Sequence, residues 1–103
     1  MPPLSKPQIL PTNFDYAKVL PHWQMNSRNQ ELVREFSFQD FKHAFQFMTL
    51  CARLADELDH HPDWSNSWNK VSVRLSTHSL KAITELDITM AKAMDQFALQ
   101  VLA

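Results

Sequence analysis

The most regular pattern in the chain lies between residues 40 and 58, where apolar side chains recur at steps of three and four residues. This spacing predicts an amphipathic α-helix of about five turns, with one stripe packed against a core. Pro62 prevents the helix from continuing and favours extended backbone at His61. The stripe is predicted to contain Phe41, Ala44, Phe45, Met48, Cys51, Ala52, Ala55 and Leu58.

Two further helices are predicted from the residues at their ends. The sequence Thr84-x-x-Asp87 has the form of a capping box, so a helix should begin near Thr84. Its apolar face comprises Ile88, Ala91, Met94, Phe97, Ala98 and Val101. Near the start of the chain, Thr12 or Asn13 is expected to cap a short helix that reaches about Leu20.

Between these helices, alternation of apolar and polar side chains predicts two pairs of antiparallel strands. The predicted strands cover residues 22–25, 32–38, 64–68 and 71–77. A polar loop over residues 26–30 joins the first pair. Asn69-Lys70 is predicted as the two-residue turn of the second pair, because asparagine tolerates positive φ. The predicted element order is therefore α-β-β-α-β-β-α.

Composition and charge narrow the class of protein. A chain of 103 residues that is 45% hydrophobic and 20% charged is expected to form one globular domain over residues 1–103. Residues 1–11 contain four prolines and are expected to be a loosely ordered lead-in. The formal net charge of −1 argues against direct binding of nucleic acid.

Several kinds of site are excluded because the chain has one cysteine and no glycine. Cys51 alone can form neither an intrachain disulfide nor a thiolate metal cluster. Phosphate-binding Walker and dinucleotide loops need glycine for close approach of the backbone. There is no apolar run of about 20 residues and no apolar stretch typical of a signal peptide. We therefore expect a soluble cytoplasmic protein that does not enter a membrane.

The predicted turn brings two distant histidines together. With Asn69-Lys70 as the turn, Trp64 faces Leu75 and His61 faces His78, and opposed Cβ atoms lie roughly 4.5–5.5 Å apart. The alternation assigns both imidazoles to the polar face of the sheet, away from the helices.

A third histidine, His60, lies at the end of the long helix, where alternation does not define its direction. Asp56 is one turn earlier and Asp59 is adjacent. Imidazoles oriented by carboxylates suit acid and base chemistry near neutral pH, so this group predicts a proton-transfer site. Three histidines also fit the ligand count of some zinc sites, but the adjacent His60 and His61 splay their rings, and we expect no metal.

Structural roles compete with these functional ones. Histidines that follow a helix are often surface or capping residues, and Asp87 could serve only the helix cap. Trp64 and Trp68 share the parity of apolar strand residues and are expected in the core. Cys51 lies on the apolar stripe and is expected to be an inert buried thiol.

Several stretches of the chain together resemble one known family. They are Asp56-x-x-Asp59-His60-His61-Pro62-x-Trp64, Asn69-Lys70-Val71, Leu75-x-Thr77-His78, Thr84-x-x-Asp87 and Phe36-x-Phe38-x-x-Phe41. The family is that of the pterin-4a-carbinolamine dehydratases, also called 4a-hydroxytetrahydrobiopterin dehydratases, and the resemblance runs from about Trp23 to Phe97. It implies an α+β fold in which helices pack on one face of a four-stranded antiparallel sheet.

The resemblance also implies an activity and a set of site residues. Members of the family are lyases that dehydrate a 4a-hydroxytetrahydropterin to quinonoid dihydropterin and water in tetrahydrobiopterin recycling, without a metal or organic cofactor. By position, His60, His61 and His78 match the catalytic histidines. His61 is expected to hold and deprotonate the pterin, and the other two to donate protons. The implied pterin-binding residues are Asp56 and Asp59, which orient the histidines or bind the pterin, Trp23 in the pocket lining and Asp87 at the rim.

Partners and alternative functions follow from the same resemblance. Family members form homodimers or homotetramers. Some animal members also act as dimerisation cofactors of a homeodomain transcription factor, so a helical protein partner and a nuclear location stay open. A pterin-binding protein of molybdopterin or folate metabolism is a further alternative.

This chain departs from the usual family pattern at several positions. Asp56 stands in place of glutamate, and His22 and Ala82 stand in place of glycines. Trp68 replaces tyrosine, and Leu86 replaces an arginine that is often found beside the aspartate. These changes are expected to alter the shape of the pocket edge or its affinity.

Overall fold

The computed structural model describes residues 7–102 and confirms the α+β class and the order α-β-β-α-β-β-α. Its elements are α1 (Tyr16–Val19), β1 (Gln24–Asn26), β2 (Glu31–Ser37), α2 (Phe41–Leu58), β3 (Asp63–Ser67), β4 (Lys70–Leu75), a short 3₁₀ helix (His78–Leu80) and α3 (Glu85–Leu102). The strands form one antiparallel sheet in the order β1-β2-β4-β3. Within residues 7–102, no helix is long and apolar enough to cross a membrane.

Alternation along the two central strands decides which face of the sheet the helices cover. Leu32 and Phe36 of β2 and Val71, Val73 and Leu75 of β4 are all at most 3% exposed. The intervening residues of β4 are exposed or half-buried. Helices α2 and α3 pack on the apolar face and on each other, as expected for a sheet with one buried face.

Helix α2 begins and ends as predicted, but its buried stripe differs. The Asp40 carboxylate caps the helix by accepting a hydrogen bond from the backbone N–H of His43 at 2.9 Å. The buried residues are Ala44, Phe47, Cys51 and Ala55. Phe41 and Phe45 are 48% and 55% exposed, and Ala52 is exposed as well, so the assignment of these three residues to the buried stripe is wrong. Phe47 fits the same steps of three and four and takes the buried place.

Phe47 is held in the core by aromatic neighbours on β2 and just after it. Its ring centroid lies 4.6 Å from that of Phe36 and 5.0 Å from that of Phe38. The pattern on α2 alone did not distinguish two overlapping stripes, because the choice depends on which one meets the aromatic residues of the sheet.

The two other helices differ from prediction in detail. In α1 the cap is Asp15, whose carboxylate accepts from the backbone N–H of Lys18 at 3.1 Å, rather than Thr12 or Asn13. In α3, Met90 is buried in addition to the predicted face.

The turn between β3 and β4 is Trp68-Asn69, one residue earlier than predicted. Trp64 consequently faces Val73 rather than Leu75, and all opposed pairs are displaced by two residues. A displacement of two keeps each side chain on its predicted face, since the period of a strand is two. The predicted opposition of His61 and His78 is nevertheless wrong, and so is the assignment of Trp68 to the core.

Contacts at the turn explain this register. Trp68 adopts a φ of 50° and is 65% exposed. Asn69 is needed elsewhere, because its side-chain Nδ2 donates to the carbonyl of Phe38 at 2.9 Å and its own carbonyl accepts from the N–H of Phe38 at 2.8 Å. These bonds attach the turn to the residue that follows β2, an interaction that the local sequence does not reveal.

The lead-in predicted over residues 1–11 lies partly outside the described residues, which begin at 7. Ile9 forms an isolated bridge with Thr84, and the N–H of Leu10 donates to the carbonyl of Ile83 at 3.3 Å. Residues 8–10 therefore contact the segment that leads into α3, since this stretch lies between prolines and keeps its backbone donors.

Candidate active site

The end of α2 turns the chain sharply at Asp59, whose φ of 50° is left-handed. The N–H of Asp59 donates to the carbonyl of Asp56 at 3.3 Å, and that of His60 to the carbonyl of Ala55 at 3.0 Å. These are the two bonds of a Schellman motif. Aspartate takes the position that glycine usually holds, since it tolerates this conformation better than most residues. The turn buries His60 and leaves His61 at the surface.

His60 is paired with a buried carboxylate on α3. Its Nε2 lies 2.6 Å from Oδ1 of Asp87, which has no exposed surface. The other carboxylate oxygen, Oδ2, accepts from the backbone N–H of Thr84 and the hydroxyl of Thr77, both at 2.9 Å. Asp87 therefore caps α3, as the capping box predicts, and also orients His60.

The charge of Asp87 also affects Tyr16 of α1. Burial, followed by the negative charge of Asp87, raises the pKa of the Tyr16 phenol. Tyr16 therefore lies within range of the negative charge of Asp87. Its approach to α3 depends on the packing of α1, so no motif in the sequence indicated it.

His61 and Asp56 form a second pair that is open to solvent. Nε2 of His61 lies 3.0 Å from Oδ1 of Asp56, and the two side chains are 56% and 83% exposed. The aspartate reaches the imidazole although its side chain is one methylene shorter than the glutamate that the resemblance described above leads us to expect here.

His78 belongs to the short 3₁₀ helix rather than to a strand, because β4 ends at Leu75. Its Nε2 lies 3.1 Å from Oδ2 of Asp63 at the start of β3, and both side chains are about half exposed or more. Asp63 is not among the site residues predicted from the sequence. It lies two residues after His61, so the alternation places both on the same polar face, and this shared parity is the signal that could have identified it.

The segments that carry the three imidazoles are linked through side-chain pairs and through neighbours in the chain, even though the predicted strand register is wrong. Thr77, which donates to Asp87, immediately precedes His78. Asp63, which pairs with His78, is two residues from His61. The end of α2, the start of β3, the 3₁₀ helix and the start of α3 therefore meet in one region.

Trp23 and Asp59, two of the expected pterin-binding residues, make contacts within the fold. Trp23 is 5% exposed, and in the described part of the chain its partners are Asp95, which accepts from Nε1 at 2.8 Å, and Phe36, whose ring lies edge-on at 5.8 Å. These contacts connect Trp23 to α3 and β2 rather than to the histidines. Asp59 acts through its backbone at the end of α2.

The region therefore presents three imidazoles, each with its own carboxylate, at different degrees of exposure. A carboxylate on one ring nitrogen orients the imidazole and leaves the other nitrogen available to a ligand. Among residues 7–102, no group of three or more histidine, cysteine, aspartate or glutamate side chains is placed to hold a metal ion. The chemistry that these groups can supply is proton transfer.

Comparisons with known proteins agree with this geometry. A family model described as "Pterin 4 alpha carbinolamine dehydratase" matches residues 3–97. A Bordetella avium protein, provisionally named a pterin-4-alpha-carbinolamine dehydratase, is 46% identical over 81 residues, which is 79% of this chain and 75% of that protein. A Synechococcus protein with the same provisional name is 44% identical over 79 residues, or 77% of this chain and 83% of that protein.

Two solved structures have similar folds. A transcriptional coactivator/pterin dehydratase from Brucella melitensis superposes with a TM-score of 0.81 and 40% identity, covering 88% of this chain and 99% of that one. A pterin dehydratase-like protein identified as a RuBisCO assembly factor in the alpha-carboxysome has a TM-score of 0.66 at 21% identity, covering 78% of this chain and 93% of that one, and it supports the fold alone. The length and identity of these matches, with the histidine motifs inside the matched region, show that the chain belongs to the pterin 4 alpha carbinolamine dehydratase family.

Proposed function

We propose that the protein dehydrates a 4a-hydroxytetrahydropterin to a quinonoid dihydropterin and water in tetrahydrobiopterin recycling. The observation that carries this proposal is that His60, His61 and His78 each have a carboxylate partner within one region. Family membership supplies the substrate class.

The reaction requires balanced proton transfers. The lone pair of a ring nitrogen forms a C=N bond while the C4a–O bond breaks, the departing hydroxyl takes a proton and leaves as water, and the ring gives up a proton to a base. An acid and a base near neutral pH serve both transfers, and each contributes typically 10²–10⁴-fold to such a step. Imidazole can play either part.

Exposure separates the roles of the three histidines in this proposal. His61 and His78 have more than half of their side-chain surface open to a ligand. His61, oriented by Asp56, holds and deprotonates the pterin, and His78, oriented by Asp63, donates a proton to the departing hydroxyl. His60 is 8% exposed with Nε2 on Asp87, so it serves as the second proton donor through its other ring nitrogen.

The test is the dehydration of a freshly generated 4a-hydroxytetrahydropterin, followed against the rate in buffer. His61→Ala should lose most of the acceleration, by about 10²-fold or more. His43→Ala is the matched control, because His43 lies in the first turn of α2, at the opposite end of that helix from His60 and His61. No acceleration by the natural protein would refute the proposal, and so would equal losses in the two variants.

A second proposed property is self-association as a homodimer or homotetramer through the helical surface. Exposed apolar side chains lie at the start of α2 and the end of α3, namely Phe41, Phe45, Leu99 and Leu102. A groove of about 900 Å³ runs beside them. Light scattering after gel filtration should show an oligomer, and Phe45→Glu should reduce its mass. A monomeric natural protein would instead favour a helical protein partner on this surface; the similar protein from Brucella melitensis is described as a transcriptional coactivator/pterin dehydratase.

A further inference from the structure

A polar cleft of about 410 Å³ opens beside His78. It lies between the turn that joins β1 to β2 and the 3₁₀ helix. Its lining residues are Arg28, Asn29, Gln30, Ser76, His78 and Lys81. Two of them carry fixed positive charges and none is a carboxylate. The volume is within the range of about 300–1,000 Å³ typical of small-molecule sites.

The walls of the cleft are attached to each other. The hydroxyl of Ser76, just after β4, donates to the carbonyl of Gln30 at 2.7 Å. On the other side, the backbone N–H groups of Arg28 and Asn29 donate to Oδ1 of Asn26 at 3.1 and 3.3 Å. The turn that carries Arg28 is therefore held against the end of β4, next to His78.

Neither Arg28 nor Lys81 forms an ion pair in the part of the chain that the structure describes. Within residues 7–102, no carboxylate oxygen lies within 4.0 Å of the Arg28 guanidinium or the Lys81 ammonium. The nearby acids are engaged elsewhere, since Asp63 pairs with His78 and Glu31 accepts from Asn29 at 3.5 Å.

The backbone conformation of Lys81 also indicates that its side chain is not needed for the fold. Its φ of 51° is left-handed, and its N–H closes the 3₁₀ helix on the carbonyl of His78 at 3.2 Å. That conformation is easiest for glycine, so the turn itself needs no long side chain. Lysine adds a cation to the wall of the cleft without contributing to the turn.

We propose that Arg28 and Lys81 select pterins whose side chain carries an anionic group, a phosphate or a carboxylate. This inference rests on the proposed function for the position of the pterin ring at the histidines. His78 belongs to both the catalytic region and the cleft, so a ring held there can extend its substituent between the two cations. Arginine binds phosphate and carboxylate through paired N–H donors, and lysine adds a point charge.

The test compares three matched 4a-hydroxytetrahydropterins, with a neutral methyl, a carboxylate or a phosphorylated hydroxymethyl group on the same ring carbon. The measured quantity is the ratio of kcat/KM for each anionic substrate to that for the neutral one. In the natural protein this ratio should exceed one and fall with added salt. The double variant Arg28→Gln/Lys81→Gln should lower it by about tenfold, mainly through KM. Arg53→Gln/Lys92→Gln, which removes two exposed cations from α2 and α3, should leave it unchanged.

Equilibrium binding distinguishes failure of this proposal from failure of the proposed function. Oxidised pterins with the same three substituents are titrated against the natural protein and both double variants. Tighter binding of an anionic pterin that is lost only in Arg28→Gln/Lys81→Gln supports the cleft, even if no substrate is dehydrated. Equal kcat/KM for all three substrates, or a preference unchanged in that variant, overturns the cleft and leaves the dehydratase proposal standing. The carboxylate and phosphate arms show which anion is preferred.

Discussion

Replacing Asp87 with asparagine tests whether the buried pair with His60 stabilises the fold. The carboxylate accepts three hydrogen bonds, one from His60 on Oδ1 and two from Thr77 and Thr84 on Oδ2. Asparagine keeps the shape of the side chain but offers only one acceptor oxygen. In either orientation of the amide, its NH₂ group meets a side chain or backbone group that donates to Asp87 in the natural protein.

The size of the expected loss of stability in Asp87→Asn follows from the burial of the pair. Asp87 is fully buried and the His60 side chain is 9% exposed, so water cannot replace a lost bond. Loss of a hydrogen bond to a charged group in such a place should lower the free energy of unfolding by about 2–3 kcal/mol. For a domain of this size that corresponds to a fall in Tm of about 8–20 °C.

The matched control is the same substitution in the solvent-exposed pair. Asp56 is 83% exposed and its partner His61 is 56% exposed, and exposed ion pairs contribute at most about 1 kcal/mol. Urea denaturation of the natural protein, Asp87→Asn and Asp56→Asn gives the three free energies. A smaller intermediate loss is expected for Thr77→Val, which removes one donor to Asp87. If Asp87→Asn lowers the free energy of unfolding no more than Asp56→Asn, burial of the Asp87–His60 pair does not determine its contribution to stability.

Three further predictions concern single residues. Burial raises the pKa of the Cys51 thiol to about 12, so stability that is complete below the ordinary thiol pKa should decline as pH rises above it. A thiol reagent should label Cys51 quickly only in denaturant, and rapid labelling of the native protein would contradict this. Hydrogen bonds from the backbone and then the side chain of His43 lower the pKa of the Asp40 carboxyl, so stability that is present above the ordinary carboxyl pKa should be lost as pH falls. Asp40→Asn should therefore lose less stability than the natural protein between about pH 5 and about pH 3. Parallel curves of unfolding free energy against pH for the two proteins would count against a role of the cap. Trp68→Gly removes an exposed indole from a left-handed backbone position. The Tm should stay level or rise by a few degrees, because the cost of about 1 kcal/mol of holding a non-glycine residue in that conformation is removed. A large decrease in Tm would show that the indole stabilises the turn.

Features that arise from residues close together in the chain could be predicted before the fold was known. The extent of α2 followed from a sustained 3.6-residue period, the cap at the start of α3 from Thr84 and Asp87, and the covered face of β4 from strict alternation. These signals are local, since each arises within one or two turns of helix or along one strand. The histidine motifs could also be read directly, because the family pattern is carried by residue types at given spacings.

Contacts between residues distant in the chain could not be predicted in this way. The partner of His60 is Asp87, 27 residues away, rather than the adjacent acids, because the turn at Asp59 directs the imidazole inward. Asp63 reaches His78 although the predicted pairing of His61 with His78 fails. A strand register depends on bonds such as those between Asn69 and Phe38, 31 residues apart, and periodicity within a strand is unchanged by a slip of two residues. The faces could therefore be predicted from the chain, whereas the partners across them required the folded molecule.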